Sequence, residues 1–266
     1  MAGRLDKRIA MIFGAGCVGD GWGNGNATAV LYAREGAAIV SIDLNQESAQ
    51  RTADLVRKEG GRAIAIAADG ANLAHVTAAV ERTMKEFGRI DILHNNIGIN
   101  EAGGPVEASE ESWDRVMRAN LKSMFLACKC VLPIMEQQGG GVIVNISSSA
   151  AAGWTGSAHI SYSASKAAVN NLTRVIAVEY AARNIRCNAI MPGLMDTPRI
   201  YRHKTKFKDD FESMRNARSR SVPMKKMGTA WDVAHAALYL ASDEAEYVTG
   251  AIIPVDGGLT CAMGVG

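Results

Sequence analysis

The 266-residue chain has no apolar run approaching the roughly 20 residues that a membrane-spanning helix needs. Its first residues, Met1-Ala2-Gly3-Arg4-Leu5-Asp6-Lys7-Arg8, hold no apolar signal core. The expectation is a cytoplasmic protein that does not enter a membrane. Excess charge is also missing. There are 29 Lys and Arg against 27 Asp and Glu, and the net of +2 gives no overall argument for nucleic-acid or membrane-surface binding. Cysteine is sparse, scattered and odd in number, at positions 17, 128, 130, 187 and 261. That usage fits a reducing compartment better than a disulfide framework. Cys128 and Cys130 stand two apart on a predicted helix, so they face different ways and make a poor chelate; no metal is expected. Linkers, repeats and low-complexity stretches are absent, and residues 1–266 read as one domain large enough for a sizeable core.

What the chain does have is a rhythm of short apolar runs and longer helical patterns. Ile9 to Phe13, Ala38 to Ile42, Ala63 to Ala67, Ile90 to Leu93, Val142 to Ile146, Ile185 to Ile190 and Ile252 to Val255 read as buried strands. The runs do not alternate with polar residues, as expected of a parallel sheet covered on both faces. Helices are predicted over Asn26 to Glu35, Gln46 to Glu59, Leu73 to Phe87, Ser109 to Gln137 (with a break) and Tyr162 to Tyr180. Gly36, Gly60-Gly61, Gly88 and Gly139-Gly140-Gly141 fall just past helix ends, where a positive φ is wanted. Thr229-x-x-Asp232 has the form of a capping box. Repeated β-α units imply an α/β fold, a doubly wound parallel sheet of about seven strands flanked by helices. A polar stretch at about 194–227 breaks the rhythm and is read as a lid.

The first strand runs into Gly14-Ala15-Gly16-Cys17-Val18-Gly19-Asp20-Gly21-Trp22-Gly23-Asn24-Gly25 and then a helix. Glycines there let the backbone approach a pyrophosphate, and a helix N-terminus offers it amide donors. Asp43 ends the next strand. A carboxylate at that point accepts the adenosine ribose hydroxyls and repels a 2′-phosphate, and the following Leu44-Asn45 brings no cation. NAD is therefore favoured over NADP, with Leu44 counted among the cofactor residues. A helix cap for the segment at Gln46 is the plainer role for Asp43.

Tyr162 and Lys166 are four apart in Ser161-Tyr162-Ser163-Ala164-Ser165-Lys166 and share a helix face. An ammonium beside a phenol stabilises the phenolate, which suits a group that exchanges a proton with a substrate hydroxyl or carbonyl. Alone, the pair is also what a half-buried Tyr with a surface Lys looks like. Here it follows a strand ending in serines and lies far downstream of the glycine-rich loop.

These motifs together resemble the short-chain dehydrogenase/reductase (SDR) family over essentially the whole chain. The matching stretches are the glycine-rich loop, Asp43, Asp69, His94-Asn95-Asn96-Ile97-Gly98, Asn120 in Ala119-Asn120-Leu121-Lys122-Ser123, and Asn145-Ile146-Ser147-Ser148. Tyr162/Lys166, Asn188-Ala189-Ile190-Met191-Pro192-Gly193 with Thr197, and Val255-Asp256-Gly257-Gly258 complete the set. The resemblance implies that Tyr162 is the general acid/base. Lys166 would support it and bind the nicotinamide ribose, Ser148 would hold the reacting oxygen, and Asn120 would help a water relay proton to Lys166. Asp69 and Gly70 would hold the adenine, with Asn96 and Gly98 under the adenosine ribose, and Thr197 and the Met195 backbone would bind the carboxamide. Gly14, Gly23, Asn24 and Gly25 would form the phosphate turn. A homotetramer is the assembly implied, through the helices at Ser123 to Gln137 and Tyr162 to Tyr180 and the last strand.

Three departures from the family pattern stand out. The loop from Gly14 to Gly25 is about five residues longer than usual. Ile97 replaces an alanine. The catalytic serine usually lies thirteen residues before the tyrosine, which lands on Ser149, whereas the strand register favours Ser148. Substrate contacts are sought at Trp154 and His159, in the loop before Tyr162, and at Arg199. His94 reads as a core histidine with its hydrogen bonds met. Between Arg199 and Lys226 the lid carries ten basic residues (199, 202, 204, 206, 208, 215, 218, 220, 225, 226) against Asp209, Asp210 and Glu212. They read as a solvated surface or as a patch for an anionic substrate. The function expected is NAD-dependent interconversion of a secondary alcohol and a carbonyl. The alternatives are a 3-oxoacyl-thioester reductase and, more remotely, a non-catalytic cofactor sensor.

Overall fold

The computed structural model describes residues 3–17, 19–201 and 210–262. The apolar runs become parallel strands β1 (Ile9–Phe13), β2 (Ala38–Asp43), β3 (Ala63–Ala67), β4 (Ile92–Asn95), β5 (Gly141–Ile146), β6 (Ile185–Pro192) and, late in the chain, β9 (Ile252–Val255). They form one seven-stranded sheet in the order β3-β2-β1-β4-β5-β6-β9. Helices α1 (Asn24–Arg34), α2 (Gln46–Lys58) and α8 (Ala230–Ala241) cover the face formed by Ala10, Ile12, Ile39 and Val144. Helices α3 (Leu73–Phe87), α5 (Ser123–Gln137) and α6 (Ile160–Tyr180) cover the face formed by Met11, Phe13, Val40 and Ile143. With both faces covered, every residue of β1 is buried, and each large aliphatic side chain so buried contributes about 1.5–3 kcal/mol. The strand order reverses between β1 and β4, and a crevice opens at their carboxyl ends.

Local chemistry sets the element ends. Asn45 and Asn72 cap α2 and α3 by accepting from Ser48 N and from Ala74 N and His75 N. Gly88 ends α3 in the left-handed region at φ 74°. The expected Thr229/Asp232 capping box opens α8. The break expected in the helix after Ser109 is a π-helical turn, Arg118–Lys122, between α4 (Glu110–Met117) and α5. β4 lies two residues later than expected. Gln138 holds both the N–H (3.3 Å) and the carbonyl (2.6 Å) of Ile90, which withdraws that residue from the ladder. At the other end Asn95 stays in the strand because its amide bonds Asn145 Oδ1 at 2.9 Å.

His94 corrects an expectation. It is fully buried on β4 with Nδ1 3.5 Å from the Tyr32 hydroxyl, but its Nε2 has no partner among the described residues. Burial pushes its pKa down to about 3, so the ring is neutral.

The expected lid begins with β7 (Met195–Asp196), which pairs with β8 (Gly228–Thr229), and continues through the turn Pro198–Tyr201. α7 (Phe211–Ser221) follows; residues 202–209, with four of the ten lid cations, lie outside the described residues. Arg215 is paired with Asp196 at 2.9 Å, so the basic stretch is not uniformly free charge.

Candidate active site

The glycine-rich loop is built on a close crossing. Gly14 leaves β1 at φ 76°, and a Cβ there would meet Ile97 N at 2.9 Å. Gly25, in the first turn of α1, lies so near β1 that a Cβ would fall 2.0 Å from Gly14 O. Only glycine lets the helix start against the strand end. Asn96 locks the crossing by donating to Gly14 O at 2.7 Å. Gly23 is the N-cap of α1, and its N–H donates to Asn26 Oδ1 at 2.7 Å.

A cavity of about 630 Å³ opens above this crossing. Of the residues expected at the cofactor, Gly14, Gly23, Asn24, Gly25, Asp43, Leu44, Asp69, Gly70, Asn96, Gly98 and Thr197 line it, and so does Arg199, which was expected at the substrate. Met195 does not; it is buried in β7, opposite Gly228. The Asp43 carboxylate accepts from Gly16 N (3.1 Å) and Asn45 N (3.0 Å), which fixes it toward the cavity with acceptor capacity left for hydroxyls. Asn24 Oδ1 is buried at the α1 N-terminus without a partner among the described residues. A dinucleotide fits this lining: glycine backbone at a helix N-terminus for a phosphate and a fixed carboxylate for ribose hydroxyls.

Sequence reasoning missed several lining residues, among them Cys17, Ile99, Arg115, Arg118 and Ser123. Arg118 pairs with Asp69 at 2.7 Å, so the carboxylate assigned to adenine already has a cationic neighbour. Arg115 pairs with Glu101 at 2.6 Å and, with Ser112, holds that carboxylate down to about 2. These partners are 49 and 14 residues apart, and no local pattern announces them.

The extra loop length bridges rather than lines the cavity. Trp22 packs on Trp231 with centroids 4.8 Å apart, and Gly21 lies against Pro198. Val18 lies outside the described residues.

The proton-transfer candidates adjoin the cavity at Gly98, where a Cβ would lie 3.3 Å from Lys166 Nζ. α6 starts at Ile160, two residues earlier than expected, and places Tyr162 half-buried in its first turn. Lys166 follows one turn later, with Nζ 5.8 Å from the Tyr162 ring centroid. Lys166 is buried and donates to Ile146 O at 2.7 Å. Burial, followed by the charge of Arg199, lowers its pKa from 10.5 to about 7.

Ser147 N still bonds β6 at Ile190 O (2.7 Å), and Ser148 continues in extended conformation before the chain turns at Ser149–Ala151. Both Ser148 and Ser149 are buried, and Ser148 Oγ accepts from Ala150 N at 3.2 Å. Asn120, in the π-turn, accepts from Ile99 N (2.7 Å) and donates to Ile99 O (2.9 Å) and Ser165 Oγ (3.0 Å). Its side chain therefore braces the loop after β4 against α6.

The remaining substrate candidates separate. His159 Nδ1 lies 3.3 Å from Glu101 O, and a β-bridge joins His159 to Gly103. Trp154 is 78% exposed. Neither lines the dinucleotide cavity, whereas Arg199 does.

A parallel sheet with a glycine-lined crevice at the ends of its strands, and a Tyr and Lys one helical turn apart beside it, fits an oxidoreductase of the nucleotide-binding α/β class. The chain belongs to the short-chain dehydrogenase/reductase family. The family model described as enoyl-(acyl carrier protein) reductase matches residues 19–260. The 2-(R)-hydroxypropyl-CoM dehydrogenase of Xanthobacter autotrophicus is 38% identical, over 96% of this chain and 99% of that one. A 3-oxoacyl-[acyl-carrier-protein] reductase of Thermotoga maritima is 36% identical, over 96% and 99%. A solved short-chain dehydrogenase/reductase from Burkholderia xenovorans is 45% identical, covers 99% of this chain and 100% of its own, and superposes with a TM-score of 0.92.

Proposed function

We propose that this chain is one catalytic domain that oxidises a secondary alcohol, of the sugar hemiacetal, cyclic diol or hydroxy acid type, with NAD. The observation that carries the reading is the meeting of Tyr162, Lys166 and the dinucleotide cavity at Gly98. Bound nicotinamide would supply the hydride acceptor, taking the hydride from the carbinol carbon. Ser148 donates a hydrogen bond to the reacting oxygen and Tyr162 takes the hydroxyl proton. Lys166 holds positive charge beside the phenol, and Asn120 keeps α6 in register with the loop at Ile99. Asp43 supports NAD because a carboxylate there repels a 2′-phosphate.

The X. autotrophicus relative, a dehydrogenase whose named substrate carries coenzyme M, supports the alcohol-oxidising direction. The T. maritima relative and the family description favour a second reading, reduction of a 3-oxoacyl thioester; that reaction more naturally uses NADPH, against which Asp43 counts. The five scattered cysteines support a cytoplasmic location, and no described helix is long and apolar enough to cross a membrane. A homotetramer is supported by exposed apolar residues on the outer faces of α5 and α6. Initial rates with NAD and NADP over secondary alcohols, sugars and hydroxy acids test the reading. NAD-linked turnover supports it, and turnover confined to NADPH with 3-oxoacyl thioesters favours the second.

A further inference from the structure

Among the described residues three arginines line the dinucleotide cavity, and two have carboxylate partners: Arg118 with Asp69 and Arg115 with Glu101. Arg199 has no ion pair with a described residue; its guanidinium donates to the carbonyl of Gly98. It also stands close enough to Lys166 for the two charges to oppose one another. The glycine-rich loop offers no cation, for the only charged residue from Gly14 to Gly25 is Asp20. A dinucleotide diphosphate carries two negative charges. The amides at the α1 N-terminus answer part of that charge, and a cation above the loop is the missing complement.

The backbone brings Arg199 to that position. Pro198 rests against Gly21, where a Cβ would lie 3.2 Å from Pro198 Cγ. Upstream, Asp196 pairs with Thr229 at the start of α8, and Trp231 of that helix packs at a tilt against Trp22 of the loop. The strap Thr197–Arg199 is thus tied to the glycine-rich loop directly and through α8. From this strap the Arg199 side chain lines the cavity and reaches the Gly98 carbonyl.

We propose that Arg199 is the counter-cation for the cofactor diphosphate, leaving the Gly98 carbonyl to pair with phosphate oxygens when a dinucleotide binds. The proposal rests on the dinucleotide reading of the cavity. A guanidinium suits the task because its fork meets phosphate oxygens in pairs. Its departure also removes a like charge from beside Lys166, so cofactor binding favours the protonated lysine that the mechanism uses.

Fluorescence titration with NADH, and its displacement by ADP-ribose and by adenosine, tests this with the wild-type chain, Arg199→Ala and Arg199→Lys at low and high salt. The expected result is a loss of about tenfold or more in NADH and ADP-ribose affinity for Arg199→Ala, the scale of one charge-assisted hydrogen bond. Adenosine affinity stays unchanged and the salt dependence flattens. Arg199→Lys recovers part of the loss, since it keeps the charge without the fork. Unchanged NADH affinity in Arg199→Ala overturns the inference and leaves the cofactor reading standing, including when KM rises only for an anionic alcohol. An equal loss for adenosine also overturns it, because the whole cavity is then disturbed. A wild-type chain that binds none of the three ligands overturns the cofactor reading and the inference together.

Discussion

Lys166 is a buried cation whose only described hydrogen-bond acceptor is the carbonyl of Ile146, and its protonation is coupled to stability. Its folded pKa, about 7, lies below the ordinary 10.5, so between those values the unfolded chain binds the more protons and stability rises with pH. Below pH 7 both states are protonated and the destabilisation is fully present. Lys166→Met is therefore expected to raise the melting temperature at about pH 6 by the equivalent of a few kcal/mol and to raise it little at about pH 10.5. Thermal unfolding at both pH values checks this, and an equal shift at both refutes it. The same residue shows what a sequence conveys at this scale. The four-residue spacing of Tyr162 and Lys166 makes their shared helix face legible. The Ile146 carbonyl and the Arg199 charge, which set the lysine's protonation, come from segments 20 and 33 residues away.

Among the elements, the crossing of β1 and α1 determines whether the cavity exists. Gly25→Ala places a methyl 2.0 Å from the Gly14 carbonyl and must push the helix off the strand. A cost of about 1–3 kcal/mol or more is expected, together with loss of NADH binding. Gly19→Ala, at φ 84° with nothing within 4 Å, should cost about 1–2 kcal/mol of backbone strain and leave NADH binding intact. Urea unfolding and NADH titration of both variants separate them; equal effects on binding contradict this view of the crossing. The glycines and Asp43 were legible because a β-turn-α unit requires them at fixed points along the chain. Pairing of the loop's extra length with α8 was not, since Trp22 and Trp231 meet only through tertiary packing. The shift of β4 was hidden for a related reason: Gln138, 48 residues from Ile90, replaces ladder bonds with side-chain bonds.

For the whole molecule, apolar surface remains uncovered on the helices expected to join subunits, with Phe125 of α5 50% exposed and Val175 and Val178 of α6 54% and 81% exposed. Sedimentation equilibrium is expected to give a tetramer, and Phe125→Asp to shift it toward smaller species; a wild-type monomer contradicts the assembly proposed. The doubly wound parallel sheet was legible in the β-α rhythm, whereas its strand order was not stated by it and the substrate was not legible, because His159 is held by Glu101 and Gly103 from a distant loop. The most direct measurement is NADH formation by the wild-type chain and Tyr162→Phe over the alcohol panel, with NADH binding measured in parallel. Turnover by the wild type that falls about 10²–10⁴-fold in Tyr162→Phe, with NADH affinity retained, is the result expected of a phenol that moves the substrate proton. Wild-type and variant rates that match, or a wild type that binds NADH and turns over no member of the panel, would contradict it.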